Sequence, residues 1–168
     1  MFVETDPNVK VKIVIDTNVL VFSLYGLKHI IPYLLTGNLI LIWNQYIIEE
    51  VKEILERLEK STFEKAQVTR GVAEKILERI VQTGIKVEEM PNHFPAITLD
   101  RDDDPFLWAA VQGNAQFIIT EDPHILTLRQ YQNIPIGKPA EFFVWVNEKH
   151  PMKDKYKLDI EFLSTELA

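Results

Sequence analysis

The run Val11-Lys12-Ile13-Val14-Ile15, closed at once by Asp16, constrains this chain more than any other segment. A nearly unbroken β-branched series fits a strand covered on both faces, as in a parallel sheet, rather than a half-exposed strand with alternating polarity. In open α/β sheets the ligand crevice lies beyond the carboxyl ends of the strands. Asp16 stands at such an end. A carboxylate there loses hydration, which marks it for function more readily than for decoration. Capping the next helix is the plainer role, and Thr17 or Asn18 would serve as well.

The remaining apolar runs alternate with helical segments. Leu27 to Leu35 reads as a short helix stopped by Thr36-Gly37-Asn38, and Leu39 to Trp43 as a second buried strand. Asn44 is placed to cap a helix reaching about Lys60. Phe63 to Thr83 holds a helix or a helix pair with Gly84 as its stop, and Ile85 to Glu88 is a short third strand. An irregular stretch, Pro91 to Leu99, delivers an acidic cluster to a helix over Pro105–Asn114. Phe117 to Thr120 is a strand, Pro123 to Arg129 a short helix, and Ile134-Pro135-Ile136 an edge strand, because proline fits poorly at a sheet centre. A final helix covers Pro139 to Val146. The alternation predicts a three-layer α/β/α sandwich around a mainly parallel central sheet. Residues 1–146 form this domain. Residues 147–168 form a charged extension whose apolar content is little more than Leu158, Ile160, Phe162 and Leu163.

Composition narrows the chemistry. The 168 residues suffice for one domain, and the absence of cysteine removes disulfides and thiolate metal sites. No basic-then-apolar leader and no membrane-length apolar stretch is present, which predicts a cytoplasmic chain without a membrane partner. The net charge of −7 counts against strong stand-alone binding to a polynucleotide. His29, His93, His124 and His150 lack the paired spacing of a zinc site, and His124 reads as a surface residue near Asp122. There is no nucleophile elbow and no glycine-rich phosphate loop. Trp43, Trp108 and Trp145 lie in apolar elements and read as core.

The acids carry the signal. At about 100° per residue around the stripe Ile47, Val51, Ile54, Leu55 and Leu58, Glu49 and Glu53 point away while Glu50 flanks the stripe. Asp104 and Asp122 each precede a proline, so each suits an N-cap with proline at the first helical position. Capping leaves one carboxylate oxygen available, so the two roles are compatible. Asp102 and Asp103 read as loop residues beside them. Carboxylates gathered from distant segments repel one another unless a cation lies between them. Hard oxygen ligands without imidazole or thiolate favour Mg²⁺ or Mn²⁺.

The order and spacing of these segments resemble the PIN domain, a family of metal-dependent ribonucleases. The resemblance spans about residues 11–146 and is to the branch of bacterial and archaeal toxins from toxin–antitoxin pairs. Val14 to Leu20 resembles the first motif and Ile47 to Leu55 the second, with Glu50 at its acidic position. Asp100 to Leu107 resembles the third motif, Ile118 to Asp122 the fourth, and Ile136 to Phe143 the closing strand and helix. The resemblance implies that Asp16, Glu50, Asp104 and Asp122 hold one or two metal ions, supported by Asn18, Thr120 and Asp103. It further implies endonucleolytic cleavage of RNA, inhibition by a cognate antitoxin protein, and the homodimer common in the family. The pattern does not separate Asp103 from Asp104 as the direct ligand.

Two other phosphoryl-transfer folds fit less well. A haloacid-dehalogenase-type phosphatase needs a second aspartate two residues after the first, where this chain has Asn18. A response-regulator receiver carries its acidic pair at the first strand, and the late cluster here is in the wrong order. The alternative of a different class is a catalytically idle PIN-fold protein-binding module. Four intact acids argue against it.

Overall fold

The computed structural model describes residues 8–26, 30–66 and 68–150. Strand β1 (Val11–Ile15) runs directly into helix α1 (Thr17–Gly26), followed by α2 (Ile30–Thr36), β2 (Leu39–Trp43), α3 (Gln45–Arg57), α4 (Lys60–Ala66) and α5 (Arg70–Thr83). β3 (Ile85–Lys86) leads through a long connection and a 3-10 turn at Arg101–Asp103 into α6 (Asp104–Gln112). β4 (Phe117–Ile119), α7 (Pro123–Leu126), β5 (Gln130–Tyr131), β6 (Ile134–Gly137) and α8 (Pro139–Lys149) follow. Among the described residues the sheet has six strands in the order β3-β2-β1-β4-β6-β5, parallel at every pairing except β5 with β6.

The nearly unbroken apolar reading of β1 follows from burial on both sides. Val11, Ile13 and Ile15 pack with Leu24, Tyr33, Val51, Leu77 and Phe142, whereas Val14 joins Phe106, Leu107, Ile118 and Ile136 on the other face. Helices α1, α2, α5 and α8 therefore cover one face and α6 the other, while α3 gives Val51 to the first core and Ile47 to the second. Each fully buried aliphatic or aromatic side chain contributes about 1.5–3 kcal/mol, so these cores set the relative positions of the strand ends. The chain extends the sheet from β1 to β2 and β3, then returns to place β4 on the other side of β1. The reversal between β1 and β4 is the switch point at which such sheets form their crevice.

Several local expectations change. Helix α1 occupies a stretch that carries no amphipathic signal. The expected helix from Leu27 begins at Ile30 among the described residues, and Leu27 to His29 lie outside them. The segment from Phe63 to Thr83 is a pair, with Thr69 capping α5 through its hydroxyl (3.1 Å to the Val72 N–H). β6 is not an edge. The two-residue β5 covers it, with Pro135 opposite Gln130 and the Ile136 N–H bound to the Arg129 carbonyl at 3.0 Å. α7 stops at Leu126 rather than Arg129, whose φ of 61° turns the chain out of the helix. α8 runs to Lys149, three residues beyond the expected end at Val146. Leu158, Ile160, Phe162 and Leu163 of the expected extension lie outside the described residues. Trp43 and Trp145 pack on the first core, but Trp108 fastens a loop instead, donating from Nε1 to the Glu88 carbonyl at 2.9 Å. Among the described residues no single helix is long and apolar enough to cross a membrane.

Candidate metal centre

Asp16 marks the point where β1 becomes α1. Its N–H donates to the Ile119 carbonyl at 2.9 Å, and its carbonyl accepts the Leu20 N–H at 3.0 Å. The side chain is 7% exposed, and Oδ2 accepts the Thr120 hydroxyl at 2.8 Å. Thr120, fully buried just past β4, also accepts the Asp122 N–H on the same Oγ1 at 2.9 Å. One hydroxyl thus links the two strand ends at the switch point. Asp122 caps α7 by accepting the His124 N–H on Oδ1 at 2.8 Å, which holds the His124 ring beside the acids. His124 Nδ1 lies 3.7 Å from Asp122 Oδ1 and 3.7 Å from Asp103 Oδ2.

Asp103 and Asp104 are adjacent in sequence but occupy unlike environments. The Asp104 side chain is fully buried, and the loop before it saturates its carboxylate. Oδ1 accepts the Thr98 N–H (2.9 Å) and hydroxyl (2.8 Å), and Oδ2 accepts the Ile97 N–H (3.2 Å) and Arg101 Nη1 (3.1 Å). Burial alone would raise its pKa, but the donors of Thr98, Ile97 and Arg101 hold it below the usual carboxylate value. Asp103 ends the 3-10 turn, and its Oδ2 is buried with no hydrogen-bond partner. Burial, then the charges of Asp122, Asp100 and Asp16, push its carboxyl up to about 6, with His124 acting in the opposite sense.

Glu50 is the one half-buried glutamate of α3; Glu49, Glu53 and Glu56 are exposed. Asn44 fixes the start of that helix by accepting the Ile47 N–H on Oδ1 at 3.0 Å. Burial raises the Glu50 carboxyl first, and the Asp16 charge adds to it. The Thr17 hydroxyl opposes that rise by proximity, although its buried Oγ1 lies outside hydrogen-bond geometry. For Asp16, burial raises the carboxyl, the Thr120 hydroxyl lowers it, the Asp122 charge raises it, and the Thr17 and Asn18 backbone N–H groups lower it. The Asn18 contribution is therefore from its main chain; its side chain is exposed.

A family model described as the PIN domain matches residues 12–124. The chain belongs to the PIN domain family. The crystal structure of PAE2754 from Pyrobaculum aerophilum is similar in fold, with a TM-score of 0.50, 14% sequence identity, and coverage of 83% of this chain and 91% of that one. No curated protein sequence matches significantly.

Within this PIN domain the fold brings Asp16 into electrostatic contact with Glu50, Asp103 and Asp122, and Asp103 with Asp122, with Thr120 between Asp16 and Asp122. It directs Asp104 away, into the 97–101 loop. The resemblance puts Asp104 in the ligand set without separating it from Asp103; in the structure the Asp103 carboxylate lies with Asp122 and His124, and Asp104 is the first residue of α6 rather than its cap. His124, read as a surface residue, is half-exposed but faces the acids, and the signal was the aspartate–proline cap that fixes its main chain. One ligand atom each from Asp103, Asp122 and His124 lies within 4.8 Å of the others. The donor set fits a hard divalent cation. Acids raised by burial and mutual repulsion, together with a buried Asp103 oxygen that lacks a donor, are the groups that such a cation would satisfy.

Proposed function

We propose that the chain is a Mg²⁺- or Mn²⁺-dependent endoribonuclease in which Asp16, Glu50, Asp103 and Asp122 hold the metal. The observation that carries this reading is the convergence of these acids at the switch point, with Asp103 Oδ2 buried and without a hydrogen-bond donor while the neighbouring Asp104 is fully hydrogen-bonded. A bound divalent ion supplies an activated water and charge stabilisation on the leaving oxygen of a phosphodiester. The chain's own residues position the ligands. Thr120 fixes the Asp16 carboxylate and the Asp122 main chain together, Asn44 anchors the helix that carries Glu50, and Asp122 orients His124. Asp104 acts through the loop: by tying residues 97–101 to the start of α6 it sets the position of Asp103.

The same reading makes the protein the toxin of a toxin–antitoxin pair in the cytoplasm, with RNA as substrate and homodimer formation as in other PIN domains. The net charge of −7 supports a basic partner surface on the cognate antitoxin. Labelled single-stranded and structured RNAs are incubated with the purified chain in Mg²⁺, Mn²⁺ or chelator, beside Asp16→Asn. Metal-dependent cleavage that vanishes in chelator and in the variant supports the proposal. Absence of both cleavage and metal binding overturns it in favour of an idle protein-binding module.

A further inference from the structure

Beside the acidic centre lies a recess of about 280 Å³. Tyr46, Met90 and Pro105 form its apolar walls, and Glu89, Asn92, Arg101 and Asp102 contribute its polar groups. It adjoins the metal centre through two chain neighbours. Tyr46 lies one helical turn before Glu50 on α3, and so on the same side of that helix, and Asp102 immediately precedes Asp103. Its volume falls just under the ~300–1,000 Å³ typical of sites for drug-sized ligands, which suits one planar ring system rather than a run of nucleotides.

The walls are held in place before any ligand arrives. The Val87 N–H donates to the Trp43 carbonyl at 2.8 Å, Trp108 Nε1 donates to the Glu88 carbonyl at 2.9 Å, and Phe94 packs edge-on against Trp108 with centroids 5.1 Å apart. Arg101 reaches the Asn92 carbonyl with Nη2 at 3.4 Å while its Nη1 is held by Asp104. Such fastening lowers the ordering cost of binding.

We propose that this recess is a base-binding subsite for the nucleotide flanking the cleaved phosphodiester, with Tyr46 as its stacking surface and guanine as its preferred base. The inference rests on the ribonuclease reading above. Aromatic side chains stack on any base, so Tyr46 supplies affinity and the polar rim supplies choice. Two of the four polar groups are carboxylates, which only accept hydrogen bonds at neutral pH. Guanine presents adjacent donors, N1–H and the N2 amino group, to such acceptors, and its O6 suits a donor from Asn92 or Arg101. Adenine and cytosine present one amino group each. Uracil flanks its single N–H with two carbonyl oxygens that carboxylates disfavour.

The test uses nucleosides without phosphate, in chelator, so that metal and phosphate contribute nothing. Guanosine, adenosine, cytidine and uridine are titrated into the full chain and followed by saturation-transfer NMR. Guanosine is expected to bind tightest and uridine at least about fivefold weaker. Tyr46→Leu should weaken guanosine about tenfold, Tyr46→Phe should stay within about twofold, and the exposed Glu89→Gln should narrow the preference for guanosine over uridine. Equal binding of all four, no saturable binding of any, or full guanosine binding by folded Tyr46→Leu would overturn the proposal. A parallel Mn²⁺ titration separates the two readings. Intact Mn²⁺ binding with no base preference removes only this inference, whereas guanosine binding without any Mn²⁺ binding upholds the recess and removes the metal reading.

Discussion

Neutralising Asp103 and neutralising Asp104 should change stability in opposite directions, although the two residues are adjacent. In metal-free protein the Asp103 carboxyl titrates at about 6 against an ordinary 3.8. At about 1.4 kcal/mol per pKa unit the difference corresponds to roughly 3 kcal/mol, and screening in a crevice open to water reduces it to about 1–2 kcal/mol. The sign follows from proton linkage. A raised carboxyl binds more protons folded than unfolded between about 4 and 6, so stability falls as pH rises through that window and stays low above it. Asp103→Asn removes this penalty and should stabilise the metal-free chain by about 1–2 kcal/mol near pH 8, with little gain near pH 4. Asp104 is held below the ordinary value, so its contribution is present at neutral pH and is lost only as pH falls through its depressed folded-state pKa. Asp104→Asn weakens a charge-assisted bond to Arg101 and sets an amide N–H₂ against donors, at a cost of about 2–4 kcal/mol near pH 8. Urea unfolding of both variants in chelator at the two pH values reads this out. Destabilisation of Asp103→Asn at both pH values, or a stable Asp104→Asn, would overturn these opposite roles of the two carboxylates.

Thr120→Val keeps the shape of a buried side chain but leaves the Asp122 N–H and Asp16 Oδ2 without their shared hydroxyl; it should cost about 1–3 kcal/mol by urea unfolding and weaken Mn²⁺ about tenfold or more by calorimetry. Gly84→Ala places a Cβ 2.5 Å from the Leu41 carbonyl, so it should destabilise by about 1–3 kcal/mol in thermal or urea unfolding without altering Mn²⁺ affinity of the folded fraction. Asn44→Ala removes the cap of α3 and should lower stability by about 1–2 kcal/mol, with faster hydrogen exchange in the first turn of that helix.

The legible parts of the fold were those in which one physical signal dominates. β1 and β2 are buried on both faces, so their apolar runs are nearly continuous, broken only by Lys12 in β1, and Asp16 is conspicuous because it ends one of them. Asn44 and Glu50 could be read from cap chemistry and helical phase, since α3 is strongly two-faced. α1 was not legible: Val19, Leu20, Val21 and Leu24 are all buried, and a helix apolar on most sides gives no period to detect. β5, two residues long, has no pattern at all, and its pairing displaced β6 from the edge. The unlike placement of Asp103 and Asp104 has a similar origin. Aspartate before proline predicts a cap at Asp104, but the 3-10 turn over Arg101–Asp103 advances the helix start by one residue, so the neighbouring carboxylate faces the crevice.

Whether these carboxylates hold a metal ion is decided by Mn²⁺ binding, followed by loss of the free-ion electron paramagnetic resonance signal, for the parent chain and for Asp16→Asn, Asp103→Asn and Asp104→Asn. Saturable binding by the parent is expected, with loss of at least about tenfold in affinity for Asp16→Asn and Asp103→Asn, and a smaller loss for whatever fraction of Asp104→Asn remains folded, because Asp104 positions Asp103 without being a ligand. Binding that survives Asp103→Asn but disappears in folded Asp104→Asn would contradict this assignment.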